Sequence, residues 1–317
     1  MNKLAEILGI RFPIIQGGMG NISNAQLAAA VSETGGLGTI GAGTMEPDEV
    51  EAMIVDTKSR TSHPFCVNVP LGVSPYGKEI LSLVLKHKVP VISLSAGNPA
   101  PYIPKLHGEG VKVIVVTGSV KHAKKAEEAG ADAIVAEGYE AAGINSPFET
   151  TTMALIPQIA SAVAVPVVAA GGIADGRGLA AALALGASGV QMGTRFIAVK
   201  EAPFHVIYKQ LITNAEDTST IIVGRGLGRI RRLLNTPYAQ KLIDEERKGI
   251  SLSDFIDMTA EYYHKLGALE GNLEDGFLNA GQIAGVIKDI PSTAELLERM
   301  VEEAEISLDS AKTKLFC

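Results

Sequence analysis

Residues Val165–Phe196, VPVVAAGGIADGRGLAAALALGASGVQMGTRF, contain two strand-like runs separated by one helix-like run. Val165 to Ala170 is apolar and partly β-branched, and it stops at Gly171-Gly172. Gly178 to Leu185 is small, apolar and alanine-rich, which suits a helix packed closely on a sheet. Gly189 to Met192 is a second short strand, closed by Gly193-Thr194-Arg195. Parallel strands that both end in glycine are what a (β/α)8 TIM barrel uses at its phosphate site. Glycine lets backbone N–H groups approach phosphate oxygens, and the helix start that follows favours an anion. The segment therefore predicts a phosphorylated ligand at the mouth of a barrel.

The same alternation runs through the chain. Strands are predicted at Pro13–Gln16, Gly38–Gly41, Phe65–Val69, Val91–Leu94, Val113–Val116, Ala133–Ala136, Val165–Ala170 and Gly189–Met192. Helices are predicted between them at Asn24–Thr34, Pro47–Arg60, Lys78–His87, Pro101–Glu109, Val120–Ala129, Thr150–Val163 and Gly178–Leu185. Strands alternating with helices give an α/β fold, with the barrel first and a doubly wound open sheet as the alternative. After Phe196 the rhythm changes. Glu201–Leu211, Pro237–Lys248, Ser253–Leu266 and a last helix from about Ser292 are expected without partner strands, as a helical cap over 201–317. A barrel takes about 250 residues. The 317 residues thus read as one domain, 1–317, with that addition.

Composition narrows the function. Hydrophobic residues make up 46% of the chain, enough for a large core, and the net charge is −7. The one basic run, Arg225–Arg232 (RGLGRIRR), is read as a solvated helix face or a loop on the substrate side rather than a nucleic-acid surface. The two cysteines, Cys66 in an apolar strand and Cys317 at the terminus, form no metal-ligand pattern. They fit a reducing, cytoplasmic setting and exclude a cluster held by four cysteines. No signal-peptide pattern and no membrane-spanning run is visible, so neither membrane nor nucleic acid is expected as a partner.

Barrel active sites lie at the C-terminal strand ends. Those ends read Gln16-Gly17-Gly18-Met19, Gly41-Ala42-Gly43, Asn68, Ser95 to Asn98, Thr117, Glu137-Gly138, Gly171-Gly172 and Gly193-Thr194. Glycines and neutral hydrogen-bonding groups dominate, with one carboxylate and no histidine or cysteine. This suits a large flat cofactor carrying a phosphate and does not suit a metal hydrolase or a nucleophilic triad; no metal is expected.

The segments PIIQGGMG (13–20), GGLGTIGAG (35–43), PFCVNVPL (64–71), SAGNP (95–99), GADAIVAEGYEAAG (130–143), PVVAAGGIADGRG (166–178), GASGVQMGTRF (186–196) and GNLEDGFLNAGQIAG (271–285) resemble the nitronate monooxygenase superfamily. Within it, EGYEAAG, TRFIAVKEAPFH and AGQIAG resemble the FMN-dependent enoyl-ACP reductase II branch. The resemblance implies an FMN barrel that uses NADH or NADPH, acts on a small or acyl-carrier-bound substrate, and self-associates as a homodimer. It implies that Gly171, Gly172, Gly193 and Thr194 hold the phosphate and that Gly17, Gly18, Met19 and Asn68 edge the flavin ring. Glu137 and Gln191 would lie near the ribityl chain, and Gln16, Gly143 and Met192 complete the cofactor-binding set.

One position departs from the family. The loop after EG-x-E normally reads A-G-G-H; here it reads Ala141-Ala142-Gly143-Ile144-Asn145, so Ile144 stands where the histidine is expected. Isoleucine neither takes nor gives a proton. Loss of a general acid or base typically costs roughly 10²–10⁴-fold. Asn145, Tyr139, Tyr208 and His205 are candidate replacements by position, with His205 also read as a helix-capping residue. His63, His87, His107, His122 and His264 are expected at the surface. Three functions follow: enoyl-thioester reduction, oxidation of alkyl nitronates with O2, or FMN binding with altered or lost redox activity. A barrel of the IMP dehydrogenase type would need a catalytic loop cysteine, which is absent between Cys66 and Cys317.

Overall fold

Short β-branched runs bounded by glycine form the strands. A computed structural model describes residues 2–315; Cys317 lies outside them. In chain order the strands are β1 (Ile14–Gln16), β2 (Gly38–Gly41), β3 (Phe65–Pro70), β4 (Val91–Ser95), β5 (Lys112–Thr117), β6 (Ala133–Glu137), β7 (Gly143–Ile144), β8 (Val167–Ala170), β9 (Gly189–Met192), β10 (Thr220–Val223) and β11 (Arg231–Leu234). All but β7, β10 and β11 form one parallel sheet, ordered β1-β9-β8-β6-β5-β4-β3-β2. A parallel bridge between Ile15 and Leu37 joins its two edges, with Gln16 N–H donating to Leu37 O at 2.9 Å. The sheet is therefore closed: the fold is a (β/α)8 barrel and the open doubly wound alternative is excluded.

The helices between strands fall within a few residues of their expected places. Their ends follow local chemistry: Asn24 Oδ1 accepts from Leu27 N–H at 2.8 Å, and Glu46 and Glu49 form a capping box that spans Pro47. The eighth barrel helix is Thr293–Lys314, which packs on helices Gly176–Ala184 and Ala25–Thr34 and so closes the outer ring. Its Leu296, Leu297 and Met300 are buried. Each such side chain contributes roughly 1.5–3 kcal/mol of burial. The helix Lys3–Leu8, not visible in the sequence pattern, is capped by Asn2 and packs Leu4 and Leu8 with Ile15, Cys66, Val91 and Ile114. Cys66 is wholly buried, and that burial pushes its thiol up to about 12.

The chain between β9 and Thr293 differs from the expectation of helices alone. It carries the antiparallel pair β10–β11, and β11 also pairs with β7 to make a three-stranded sheet. The basic run Arg225–Arg232 is the turn of that hairpin and the first residues of its second strand, β11, not a helix face. The expected helix Ser253–Leu266 is two helices, Leu252–Met258 and Glu261–Glu270. Thr259 Oγ1 donates to Phe255 O at 2.8 Å and Ala260 turns extended, so the chain changes direction there. A second core of Val223, Leu233, Tyr238, Leu242, Phe255 and Phe277 holds this part together.

Candidate active site

At the C-terminal strand ends lies a cavity of about 1280 Å³. Typical small-ligand pockets measure about 300–1,000 Å³, so this one has room for a cofactor and a substrate together. Gly18, Met19, Asn68, Glu137, Gly143, Ile144, Asn145, Gly193 and Thr194 all line it. The fold therefore brings together most of the candidates, from four barrel strand ends and from β7 with the residue after it.

Local structure fixes how these groups are presented. Asn68 Nδ2 lies 3.2–3.3 Å from Ser93 O, Ser93 Oγ and Ser95 Oγ, which pins the amide. A Cβ on Gly18 would stand 2.8 Å from Asn68 Cβ, so only glycine fits there. Gly193 is the opposite case: a Cβ there would meet nothing within 4 Å, because the residue faces the open cavity. Thr194 Oγ1 accepts from Gly281 N–H at 3.0 Å, tying the β9 end to the AGQ segment. Burial pushes the Glu137 carboxyl up to about 7, with no opposing cation.

Other candidates are placed elsewhere. Gln16 is buried, and its Oε1 accepts from Thr39 N–H at 2.8 Å. Met192 points into the core shared with the helices, and Gln191 covers Gly17. Gly171 and Gly172 have the left-handed backbone expected of them (φ 94° and 72°), but the Glu140 side chain stands against Gly172. That carboxylate caps the helix Thr152–Ala160, accepting from Thr152 N–H at 2.9 Å and Oγ1 at 2.9 Å. His205 lies off the cavity lining as the cap of the helix Val206–Thr213, its Nδ1 accepting from Ile207 N–H at 3.3 Å.

The loop carrying Ile144 is held from several sides. Asn145 Nδ2 donates to Ala141 O and Gly143 O, both at 3.0 Å, so this amide positions the loop. Arg232 lies over the Tyr139 ring and donates to Tyr139 O at 3.1 Å, and Arg225 pairs with Glu149 at 2.8 Å. Two arginines of the basic run are thus spent on holding residues 139–149. Ile144 itself is 57% exposed on the cavity wall. The Tyr208 hydroxyl donates to Asn279 O, and burial raises its pKa.

Among the residues of the cavity wall that sequence reasoning missed is a polar group made of Arg231, Glu261, His264 and Asn279. His264 is 2% exposed, which corrects its reading as a surface histidine; His63, His107 and His122 are exposed and His87 is half-buried. His264 stacks on Phe277 with ring centres 5.2 Å apart. Its Nδ1 lies 3.3 Å from Glu261 Oε2, and Asn279 Nδ2 lies 3.2 Å from its Nε2. Burial opposes ionisation of Glu261, yet contact with His264 and the charge of Arg231 hold its carboxyl below the usual range. Arg231 lies over the same Phe277 ring at 4.9 Å. The only local signal for this group was the Glu-x-x-His spacing of Glu261 and His264, which puts both on one helix face.

Comparison with known proteins agrees with this architecture. The nitronate monooxygenase family model matches residues 1–80 and 71–303. The solved structure of FabK from Thermotoga maritima is 40% identical, with a TM-score of 0.94 and 99% of each chain covered. A nitroalkane oxidase from Streptomyces ansochromogenes is 28% identical, with a TM-score of 0.84, covering 97% of this chain and 99% of its own. The curated (3aS,4S,5R,7aS)-5-hydroxy-7a-methyl-1-oxo-octahydro-1H-indene-4-carboxyl-CoA dehydrogenase of Mycobacterium tuberculosis is 33% identical, over 97% of each chain.

Proposed function

The chain belongs to the nitronate monooxygenase family, a family of oxidoreductases, and from that premise we propose that it is an FMN-dependent enzyme that passes electrons from NADH or NADPH to the double bond of an enoyl thioester. The observation that carries this reading is the 40% identity to FabK, an enoyl-ACP reductase II, along 99% of the chain. A second relative whose name specifies a CoA thioester points to the same substrate class.

The residues fit the cofactor. Gly18 leaves no side chain between Asn68 and the cavity, and Gly193 opens directly onto it. Backbone N–H groups at Gly193 and Thr194 would hold the phosphate, and Gly18, Met19 and Asn68 would edge the ring. Glu137, with its carboxyl near 7, can either donate or accept a hydrogen bond to the ribityl hydroxyls at neutral pH. Bound FMN would supply a two-electron carrier between nicotinamide and substrate. The protein's part is to orient the two reactants and to manage charge on the substrate.

Anaerobic NADH oxidation with crotonyl-CoA, followed by mass spectrometry of the product, tests this reading. The expected product is butyryl-CoA, one per NADH consumed. A second reading, oxidation of an alkyl nitronate, is favoured by Ile144: a nitronate is already an anion and needs no base to form it. Consumption of a nitronate with O2 uptake in the absence of nicotinamide, and no butyryl-CoA, would replace the first reading by the second.

A further inference from the structure

The cavity wall holds a cation whose charge has no direct partner among the described residues. Arg231 is 8% exposed, and its Nη1 has no hydrogen-bond partner. Glu261 acts on it only through space. Asn279 Oδ1, on the same wall, also lacks a partner. Unsatisfied buried polar groups are costly, and a fold keeps them mainly where a ligand completes them.

The position of Arg231 gives that cost a purpose. It is the cross-strand partner of Ile144, so the guanidinium stands beside the position where the family histidine is absent. His264 shares the Phe277 ring with it and is oriented at Nδ1 by Glu261. A cation that cannot lose its proton and an imidazole that can are the two parts needed to replace one substrate-polarising acid.

We propose that Arg231 binds the thioester carbonyl oxygen of the substrate and that His264, held by Glu261, delivers the proton to its α-carbon. The inference rests on the enoyl-thioester reading above. In the step assigned to these residues, a hydride derived from NAD(P)H has formed the new C–H bond at the β-carbon. The electron pair of the C=C bond then lies on the α-carbon and the carbonyl oxygen, where Arg231 balances it. An N–H bond of the His264 imidazolium breaks, the α-carbon C–H bond forms, and the neutral imidazole left behind regains a proton from solvent. Ile144 contributes only apolar surface to this arrangement.

Two measurements test the assignment on the holoenzyme. Crotonyl-CoA labelled with ¹³C at the thioester carbon is bound to the oxidised enzyme without nicotinamide. Its carbonyl resonance is expected to move downfield in the parent and to lose most of that shift in R231M, with R231K between them. No downfield shift in the parent, or an equal shift in R231M, overturns the role of Arg231. In single-turnover experiments, H264Q is expected to slow recolouring of the reduced flavin by crotonyl-CoA by roughly 10²–10⁴-fold. Bleaching by NADH should slow far less. Recolouring of H264Q at the parental rate overturns the role of His264 while the enoyl-reductase reading stands. A parent that neither binds nor is recoloured by the thioester overturns that reading, and this assignment with it. Flavin content of each variant, and a parallel set with E261Q and H264N, separates these outcomes from misfolding.

Discussion

Ile144 and Arg231 face each other across an antiparallel pair on the cavity wall, the first 57% exposed and the second 8% exposed. In the assignment proposed above, Arg231 and His264 together take the place of the histidine that this loop lacks.

Restoring the histidine then gains little. In I144H the imidazole would stand beside a guanidinium, which disfavours its protonated form. We expect kcat/KM for crotonyl-CoA to change by less than about threefold, well under 1 kcal/mol. A gain of tenfold or more in the same assay would mean that the site has decayed and that nothing has replaced the lost group.

Gly193 separates folding from cofactor binding. Its backbone (φ −109°, ψ −64°) is open to alanine, and the methyl would enter empty space. G193A should therefore keep its stability within about 0.5 kcal/mol. FMN affinity should fall about tenfold or more, a loss of at least 1.4 kcal/mol. Thermal unfolding and fluorescence titration of the flavin-free protein read the two effects separately.

Glu137 should leave a signature in the pH dependence of the flavin-free protein. Its carboxyl titrates near 7 in the fold. An unfolded glutamate titrates near 4.3, so from about pH 4 to about 7 the native state holds the extra proton. The stability this group contributes is fully present below that window and is lost as pH rises through it. The difference in Tm between parent and E137Q, measured from pH 5 to 8, should shift against the parent as pH rises. A pH-independent difference would place the Glu137 carboxylate in an unperturbed setting.

The eighth barrel helix rests on a glycine. A Cβ on Gly176 would stand 2.3 Å from Glu303 Cβ and 2.5 Å from Met300 O. G176A must push the helix Thr293–Lys314 off the helix Gly176–Ala184, at a cost of about 1–3 kcal/mol. Urea unfolding measures it; an unchanged midpoint would mean that the two helices do not touch there.

The barrel was legible because its strands and helices are written in local periodicity, and glycines such as Gly172 and Gly193 mark the strand ends. The rest depended on contacts between distant segments. A two-residue strand such as β7 has no periodicity to detect. The turn at Gly224–Gly228 was masked by the arginines around it. His264 read as a surface residue because one unbroken helix was expected over Ser253–Leu266; the break at Thr259-Ala260 re-aims it. Arg231 became a site residue only through its pairing with Ile144, which no local pattern carries.

The central claim is that electrons pass from nicotinamide to an enoyl thioester at this site. An anaerobic absorbance titration tests it most directly: NADH or NADPH is added to the purified holoenzyme, then crotonyl-CoA. The account predicts a yellow protein that bleaches with nicotinamide and regains its colour with the thioester. A protein that retains no flavin, does not bleach, or recolours only with O2 or a nitronate contradicts it.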